Sequence, residues 1–374
     1  MKFIILKENL KQGLSMVAHL TSKNINLPIL NNVLIKAKKE GVDLISTNLE
    51  ISINHFLRAK VEKEGDFTVD SKIINEYVSL LPEDKIEINL VNEDLNIKCQ
   101  NYKTKIKGQA SSDFPVLPKI ERNGCYFLDI NEFKTALSSV IFSVSTNENR
   151  IELSGVLFSF KNEKLTLVGT DSYRLSEKTI NFKSSNIMDD RSVIVPARTV
   201  QEIIRILNNF KSEEQLEGNN SLEVCLTENQ ISFSFASTQI ISRLIIGNYP
   251  DYQQIIPQKE ATKLIINKNS FVRAIKTSGL FSKTGINDVG LIIKKNKTVL
   301  TASSSQTGEN EIELDVDFKG EENDIFFNYK YFLEGLNNIN SDKVILKIVN
   351  NNTPCILKAD EEDDFLYLVM PIKQ

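Results

Sequence analysis

Residues that could carry acid–base or nucleophilic chemistry are few and scattered in this chain of 374 residues. The two histidines, His19 and His55, lie in a helix-like stretch and at the end of a strand-like stretch, so both suit packing or surface positions better than that of a catalytic base. The glycines form neither a GxGxxG motif nor a Walker loop, and HExxH and GxSxG motifs are absent. The acidic run Asp360–Asp364 lacks the glycine and the alternating spacing of a calcium loop, which favours a solvated hairpin loop. The sequence therefore predicts a protein that is not an enzyme and that holds no metal or cofactor.

The cysteines and the apolar segments point to a compartment. Cys99, Cys125, Cys225 and Cys355 show no CxxC spacing and no neighbouring histidine cluster, so we expect neither a disulfide nor a zinc site. The apolar stretch Phe3–Leu6 is too short for a signal peptide, and no apolar run approaches a membrane span. We expect a cytoplasmic protein without a membrane partner. The net charge of −4 gives no global sign of nucleic-acid binding, although it says nothing of local patches.

The sequence contains an internal threefold repeat, which indicates the elements that position these residues. Each third of the chain contains two short apolar stretches, and each stretch runs directly into a helix-like segment; Leu10, Phe133 and Phe271 mark the first helix of each third. A period this long indicates three homologous domains rather than a solenoid. Proline-containing linkers, Phe114–Pro118 and Tyr249–Pro257, separate the thirds. We therefore predict domains at residues 1–121, 122–249 and 250–374.

The pattern within each third predicts an α+β fold. Short strands with period-two alternation, bounded by Asn, Asp and Gly, fill the segments between the helices, as is typical of antiparallel sheet. The helices are amphipathic; Leu10, Leu14 and Val17 form one apolar stripe. Each domain should therefore consist of two helices packed on antiparallel sheet. The polar faces of the helices carry three more basic than acidic residues, which fits either random scatter or a surface turned toward a polyanion.

Two rows of like charge alternate along strands in the first and last thirds. Lys103, Lys105 and Lys107 form the basic row, and the acidic row consists of Glu309, Glu311, Glu313, Asp315 and Asp317. Period two places each row on one face of its strand. Such rows can protect an edge strand from unwanted pairing. They can also pair between subunits, and because they lie in the first and last thirds that pairing is head-to-tail and closes a ring.

Two further segments carry functional signal. Val168–Leu175 reads as a strand and turn with an Asp–Arg pair, and Tyr367–Gln374 reads as an apolar terminal strand. Chain termini are usually polar and frayed. An apolar tail that lines a groove for a partner peptide explains this exception.

Short motifs along the whole chain, in order, resemble one protein family. They are Met1–Phe3, Leu27–Leu30, Thr47–Glu50, Asp113–Pro115, Gly169–Asp171 with Arg174 and Leu175, Tyr249–Tyr252, and Val369–Pro371. Together with the triplication they resemble the bacterial DNA polymerase III beta subunit, the sliding clamp. The resemblance implies a head-to-tail homodimer of six domains whose helices surround double-stranded DNA without reading its sequence. It also implies processivity for the replicative polymerase, and peptide docking by the DNA polymerase III alpha subunit, the clamp-loader delta subunit and other clamp-motif proteins.

The resemblance assigns residues to three surfaces. The peptide pocket comprises Leu153, Thr170, Ser172, Tyr173, Arg174, Leu175, Pro250, Gln254, Ile255, Asn328, Tyr331, Pro354, Leu368, Val369, Met370, Pro371 and Ile372. Apolar side chains there would receive Leu or Phe anchors of the peptide, and Arg174 and Asn328 would fix its polar end. The DNA-facing residues are Lys23, Lys72, Asn147, Arg150, Arg198 and Arg205. The dimer interface comprises Lys103, Lys105, Ile106, Lys107, Leu280, Phe281, Glu309, Glu311 and Glu313.

The chain departs from the family pattern at several of these surfaces. Ser172-Tyr173 stands where the family commonly has Gly-His, and Gln253-Gln254 where it commonly has arginine. Asn24 replaces a basic residue, and Ile151-Glu152 replaces an aromatic pair. One alternative is therefore a peptide-binding scaffold on the same fold that does not encircle DNA. A hydrolase built on Asp171 and the acidic run lacks a base, a nucleophile and a phosphate loop.

Overall fold

The computed structural model describes residues 1–20, 27–117, 120, 124–147, 149–185, 189–210, 220–360 and 364–373. Six α-helices occur within these ranges: α1 (Lys7–Val17), α2 (Ser71–Leu80), α3 (Ile130–Ile141), α4 (Ala197–Asn209), α5 (Lys268–Gly279) and α6 (Tyr329–Asn338). Each follows directly on a strand, so the six predicted strand–helix pairs are confirmed. None of the helices in these ranges is long and apolar enough to cross a membrane.

The strands of the first third are β1 (Lys2–Leu6), β2 (Asn32–Lys38), β3 (Gly41–Thr47), β4 (Ile51–Leu57), β5 (Lys60–Lys63), β6 (Gly65–Asp70), β7 (Lys85–Val91), β8 (Asp94–Cys99) and β9 (Tyr102–Gln109). Those of the second are β10 (Cys125–Asp129), β11 (Gly155–Lys161), β12 (Lys164–Thr170), β13 (Arg174–Asn181), β14 (Ser184–Ser185), β15 (Arg191–Pro196), β16 (Ser221–Leu226), β17 (Gln230–Phe235) and β18 (Thr238–Arg243). Those of the last are β19 (Thr262–Asn267), β20 (Asp288–Lys294), β21 (Lys297–Ser304), β22 (Gly308–Leu314), β23 (Val316–Gly320), β24 (Asn323–Asn328), β25 (Lys343–Ile348), β26 (Cys355–Ala359) and β27 (Phe365–Val369).

The chain forms two compact units, and each unit spans a junction between thirds. The first unit comprises Met1–Asn131, Phe182–Met188 and Gln201–Leu244. It holds one antiparallel sheet of fourteen strands in the order β14-β10-β16-β17-β18-β4-β3-β2-β6-β9-β8-β7-β1-β5. The pairing of β18 with β4, in which Thr238 lies opposite His55, joins strands of the first and second thirds. On α1 the predicted stripe of Leu10, Leu14 and Val17 is fully buried.

The second unit comprises Glu132–Asn181, Asp189–Val200 and Ile245–Gln374. Its larger sheet has nine strands in the order β15-β11-β12-β13-β27-β26-β25-β19-β23, and its smaller sheet has the order β22-β21-β20-β24. Antiparallel pairing of β13 with β27, from Arg174 opposite Val369 onward, places the C-terminal strand beside the second third. The first part of the apolar tail, residues 367–369, thus belongs to a central strand of the sheet, whereas residues 370–373 lie beyond the strand.

Close packing in the second unit fixes the helix that borders the candidate site. A Cβ atom at Gly335 of α6 would lie 2.2 Å from the ring of Tyr367, so only glycine allows this approach of α6 to β27. The Tyr367 hydroxyl donates to the backbone oxygen of Tyr331, at 2.9 Å. Asn328 begins α6, because its side chain accepts from the Lys330 N–H at 3.0 Å. These contacts hold Tyr331 in a constant position.

One expectation about the cysteines is wrong. Cys125 and Cys225 form a disulfide bond in the first unit. They lie directly opposite each other on β10 and β16, with their Cα atoms 4.4 Å apart. A separation of 100 residues hides this pair from any search for short cysteine spacings. Cys99 and Cys355 are free and buried.

Candidate functional site

A tight turn between β12 and β13 is the centre of the candidate peptide site. The Asp171 carboxylate accepts from the backbone N–H groups of Tyr173 and Arg174, at 2.9 and 3.0 Å. The Thr170 hydroxyl accepts from the Ser172 N–H at 3.2 Å and donates to the Arg174 backbone oxygen at 2.6 Å. Ser172 has a φ of 77°, in the left-handed region that favours glycine. The turn presents Tyr173, whose side chain is 63% exposed.

Arg174 fixes the wall of the site. Its Nε donates to Asp171 Oδ2 at 3.0 Å, its Nη2 donates to the Phe142 backbone oxygen at 2.8 Å, and its Nη1 pairs with Glu334. The guanidinium carbon lies 4.5 Å from the centre of the Tyr331 ring, a cation–π distance. Because every guanidinium nitrogen already serves an acceptor of this chain, Arg174 retains only the second hydrogens of Nη1 and Nη2 for a ligand.

Nine of the predicted pocket residues line one small cavity. They are Thr170, Ser172, Tyr173, Arg174, Leu175, Ile255, Pro354, Leu368 and Met370. The cavity holds only about 10 Å³, which is room for about one water. A Met370 N–H to Tyr173 oxygen bond of 2.8 Å fixes the backbone on both sides. Side chains rather than backbone must therefore move before an apolar anchor enters.

Tyr173 also lines a larger groove. It measures about 560 Å³ and is lined by Val144, Ser145, Thr146, Asn147, Arg150, Leu153, Asp171, Ser172, Tyr173, Arg174 and Tyr331. Leu153 and Tyr331, predicted for the pocket, line this groove. So do Asn147 and Arg150, predicted to face DNA. Arg150 donates from Nη1 to Ser172 Oγ at 3.0 Å and from Nε to Glu152 at 3.1 Å.

The other predicted pocket residues are not among the described residues that line either cavity. These are Pro250, Gln254, Asn328, Val369, Pro371 and Ile372. Gln254 donates to Asp251 at 2.8 Å, and Ile372 donates from its backbone to Phe326 at 2.7 Å. Val369 is buried inside its sheet. The side-chain oxygen of Asn328 accepts the hydrogen bond that caps α6. Its side-chain nitrogen is therefore the group that can donate to a ligand.

The lysine row lies on an open strand edge in the first unit. β9 pairs with β8 from Tyr102 to Lys107 and touches β6 only at Gly108 and Gln109. Lys103, Lys105 and Lys107 are exposed, whereas Ile106 is buried. Lys103 and Lys105 line a surface cavity of about 610 Å³. The edge keeps its backbone groups available to another strand along most of its length.

Only the three glutamates of the predicted acidic row lie on one open edge in the second unit: β22 ends at Leu314, so Asp315 follows it and Asp317 lies on β23 of the nine-stranded sheet. β22 is the outermost strand of the four-stranded sheet and pairs with β21 alone among the described strands. Glu309, Glu311 and Glu313 are exposed on one face of it. Glu309 and Glu311 line a cavity of about 450 Å³. Leu280, directly after α5, is 72% exposed, and Phe281 is half-buried.

An apolar face of α2 was missed by sequence reasoning. Ile73 is 54% exposed and Leu80 is 83% exposed, with the half-buried Tyr77 between them at helical spacing. Ile74 and Val78 already supply the buried stripe of this helix. The sequence signal was present, because α2 has two apolar stripes where a surface helix needs one.

The predicted DNA-facing residues fall into different settings. Lys23 lies outside the described residues. Lys72 and Arg198 are exposed on α2 and α4. Arg205 is only 21% exposed; it donates to Glu202 and to the backbone oxygens of Ser15 and Met16 at 2.7–2.8 Å. Arg205 therefore caps the end of α1, and of these residues it has the least freedom to reach a phosphate.

Comparison with known proteins identifies the family. Family models of the DNA polymerase III beta subunit match in sequence order: the N-terminal domain over residues 1–118, the central domain over 127–251 and the C-terminal domain over 253–373. A beta sliding clamp of Bacillus subtilis is 27% identical over 387 residues, and one of Rickettsia bellii is 28% identical over 384 residues; both matches cover 100% of each chain.

Solved structures agree with these matches. A crystal structure of a putative DNA polymerase III beta subunit from Eubacterium rectale superposes with a TM-score of 0.92 at 30% identity, covering 100% of both chains. The DNA polymerase sliding clamp of Bacillus subtilis superposes with a TM-score of 0.92 at 26% identity, covering 100% of this chain and 99% of that one. The class is thus a triplicated α+β clamp protein. The chain belongs to the DNA polymerase III beta subunit family, the beta sliding clamps, which confirms the resemblance seen in its sequence.

Proposed function

We propose that two copies of this chain join head-to-tail into a ring that encircles double-stranded DNA and confers processivity on a replicative polymerase. The observation that carries this proposal is the pair of open strand edges with opposite charge, β9 in the first third and β22 in the last. A strand edge whose partner lies at the other end of the same chain favours closure by two copies. Family membership supports the same assembly, and an action on DNA in the cytoplasm.

The three domains of the ring correspond to residues 1–121, 122–249 and 250–374. The three family-model matches support these boundaries, since their gaps fall at 119–126 and at 252. The exposed basic residues Lys72 and Arg198, together with Arg150, are the strongest candidates for contacts with phosphates. Contacts that avoid base edges suit a protein that must slide.

The turn at Asp171–Tyr173 and the cavities beside it dock peptides of partner proteins. The partners are the DNA polymerase III alpha subunit, the clamp-loader delta subunit and other proteins with a clamp-binding motif. Leu175, Leu368 and Met370 provide the apolar surface for the anchor residues of such a peptide. The chain itself performs no catalysis, because its role is to hold other proteins on DNA.

A linearisation experiment tests the ring. The protein is loaded by a clamp loader onto nicked circular DNA, the circle is cut at one site, and the DNA-bound protein is counted before and after the cut. We expect retention on circles and loss from linear ends, because a ring is linked topologically. Linear DNA whose two ends are blocked by a bound protein is the matched control. Blocked ends should restore retention of the ring. Equal loss from circles and linear DNA contradicts the ring and favours a scaffold that does not encircle DNA.

A further inference from the structure

The turn between β3 and β4 in the first unit repeats the hydrogen bonds of the turn in the candidate peptide site. The Asn48 side-chain oxygen accepts from the backbone N–H groups of Glu50 and Ile51, at 3.0 and 2.7 Å. The Thr47 hydroxyl accepts from the Leu49 N–H at 3.1 Å and donates to the Ile51 backbone oxygen at 3.0 Å. Leu49 has a φ of 77°, the value found at the matching position of the candidate site. The two turns therefore share one backbone conformation.

The strands beside the turn are repeated as well. β4 pairs antiparallel with β18, just as β13 of the candidate site pairs with β27. At the end of β18, the Arg243 N–H donates to the Glu50 backbone oxygen at 2.9 Å. The Met370 N–H makes the equivalent bond to the Tyr173 backbone oxygen, at 2.8 Å. The junction of the first and second thirds thus repeats the backbone frame on which the candidate peptide site is built.

Two side chains on this shared frame change from polar to apolar. In the candidate peptide site, Arg150 and Ser172 are neighbours joined by the hydrogen bond of 3.0 Å described above. Leu27 begins the same short turn as Arg150, because each carbonyl accepts from the N–H three residues further on, at 3.1 and 3.0 Å. Leu49 takes the place of Ser172. Leu27 is 46% exposed and Leu49 is 44% exposed, so the frame places two exposed leucines side by side.

Leu49 holds an unfavourable backbone conformation without the benefit of burial. The left-handed region is disfavoured for leucine, because its Cβ atom approaches the following carbonyl oxygen. Residues in such conformations persist where the surrounding hydrogen bonds enforce them, and they are frequent at binding sites. The apolar surface of Leu49 gains little in the free chain, since almost half of it meets water. A role in binding, where a partner covers that surface, explains both features.

We propose that Leu27 and Leu49 form a second docking site for partner proteins, the leucine site, which takes an extended peptide with an aliphatic or aromatic anchor. The inference rests on the proposed function, because the class of ligand is that of the site whose frame is repeated. Ile51, only 1% exposed, stands at the position of Arg174, so this position offers no guanidinium to a peptide. Apolar contact with the leucines is then the main attraction.

The two docking sites should differ in affinity and in how they open. The small cavity of the candidate peptide site requires side chains to move before an anchor enters. The leucines are already open to solvent, so binding there needs no such rearrangement. The leucine site lacks the polar groups that fix the end of a peptide in the candidate site. We therefore expect the same peptide to bind the leucine site about tenfold more weakly than the candidate site.

Peptide titration of the full-length protein tests the leucine site. The probe is a fluorescent synthetic peptide with Leu and Phe anchors, and a photoreactive form of the same peptide reports where it binds. We expect about two peptides per chain, with cross-links at the candidate site and also at residues 47–52 or 241–243. Cross-links confined to the candidate site, at one peptide per chain, overturn the leucine site and leave the proposed function intact.

Variants assign the weaker binding step. Asparagine tolerates the left-handed conformation better than leucine, so Leu49→Asn should melt at the same temperature as the wild type or higher. It should weaken the weaker step by about tenfold and leave the stronger step unchanged. Val91→Asn is the matched control, because Val91 is also 44% exposed in the first unit, and it should change neither step.

A variant of the candidate site keeps the two proposals distinguishable. Met370→Asp should abolish the stronger step, because it places a charge in the apolar pocket. A weaker step that persists in Met370→Asp and is lost in Leu49→Asn supports the leucine site, even if the candidate site binds no peptide. Binding that is unchanged in both Leu27→Asn and Leu49→Asn overturns the leucine site, whatever Met370→Asp does.

Discussion

The two open strand edges, β9 and β22, carry opposite charge but are not mirror images. Within the described part of the chain, no carboxylate pairs with Lys103, Lys105 or Lys107. Lys103 even lies opposite Lys98 in the β8–β9 register, an arrangement of like charges that weakens a sheet. On β22, by contrast, Lys297 Nζ lies 3.1 Å from Glu311 and 3.9 Å from Glu313. In the same register Asp94 lies opposite Lys107, without an ion pair. The lysine edge is thus less compensated within its own chain than the acidic edge.

Charge reversal of the lysine row should have the largest effect on the dimer Kd. Lys103→Glu/Lys105→Glu/Lys107→Glu faces the acidic row with like charge, and we expect the dimer Kd to rise by at least ~100-fold, since each close pair loses attraction and gains repulsion. Sedimentation at low salt measures the Kd. The matched control is Glu309→Lys/Glu311→Lys/Glu313→Lys, which should also be monomeric alone but should form a dimer with the lysine-reversed chain. An unchanged Kd in the first variant contradicts the electrostatic role of the rows.

The two compact units should differ in how strongly acid destabilises them. Both histidines of the chain belong to the first unit. Burial lowers the pKa of His55 to about 4. Because the unfolded state binds this proton more readily, the stabilisation is full above pH ~6.5 and is lost as the pH falls toward ~4. The loss amounts to about 3 kcal/mol of the first unit's unfolding free energy.

The measurement for this prediction is urea unfolding between pH 7 and pH 4. As the pH falls, hydrogen exchange should show that backbone amides of the first unit, which carries β9, lose protection before those of the second unit, which carries β22. His55→Gln should reduce the pH dependence, because glutamine does not titrate. Its side chain can still hydrogen-bond to Thr238, which lies 2.8 Å from the histidine Nδ1. His19→Gln is the comparison variant: His19 is 67% exposed, and the change also removes its contact with Glu202, 2.5 Å from Nδ1. Equal acid sensitivity of wild type and His55→Gln would show that other groups dominate.

Exposed apolar residues on or beside helices should also contribute to assembly. Leu80 on α2 and Leu280 after α5 are the most exposed large apolar side chains of their helices. We expect Leu80→Asp or Leu280→Asp to raise the dimer Kd by roughly 10- to 150-fold, since an interface residue of this size contributes about 1.5–3 kcal/mol when buried. Monomer melting should not change, because both side chains already face solvent. Val91→Asp, at a 44% exposed position on β7, is the control and should leave the Kd unaltered.

The features that local sequence patterns predicted depend on neighbouring residues, whereas the features they missed depend on contacts between residues far apart in the sequence. Period-two alternation was sufficient to place Lys103 and Glu311 on exposed faces, and the six strand–helix pairs follow from local hydrophobic periodicity. The Cys125–Cys225 pair, the capping of α1 by Arg205 and the burial of Arg174 against Tyr331 were not predictable in this way. Each depends on which strands or helices meet across 100 or more residues of sequence. The resemblance to a family supplied the pocket residues, but it did not reveal that Tyr173 lines two cavities.

Lys297 provides the smallest and most specific test of the asymmetry between the edges. If the acidic row is partly compensated within its own chain, Lys297→Ala should expose the full charge of Glu311 and Glu313 to the lysine edge. We expect the dimer Kd to fall by about threefold, because exposed pairs contribute less than about 1 kcal/mol. The gain should shrink as salt is raised, since screening acts on exposed charges. Lys294→Ala is the matched control: it removes the same charge from the residue directly opposite Lys297, but Lys294 contacts Glu322 and Asp324 instead of the row glutamates. A rise in Kd for Lys297→Ala would mean that Lys297 organises the glutamates for pairing, and the acidic edge would then be prepared by its lysine rather than weakened by it.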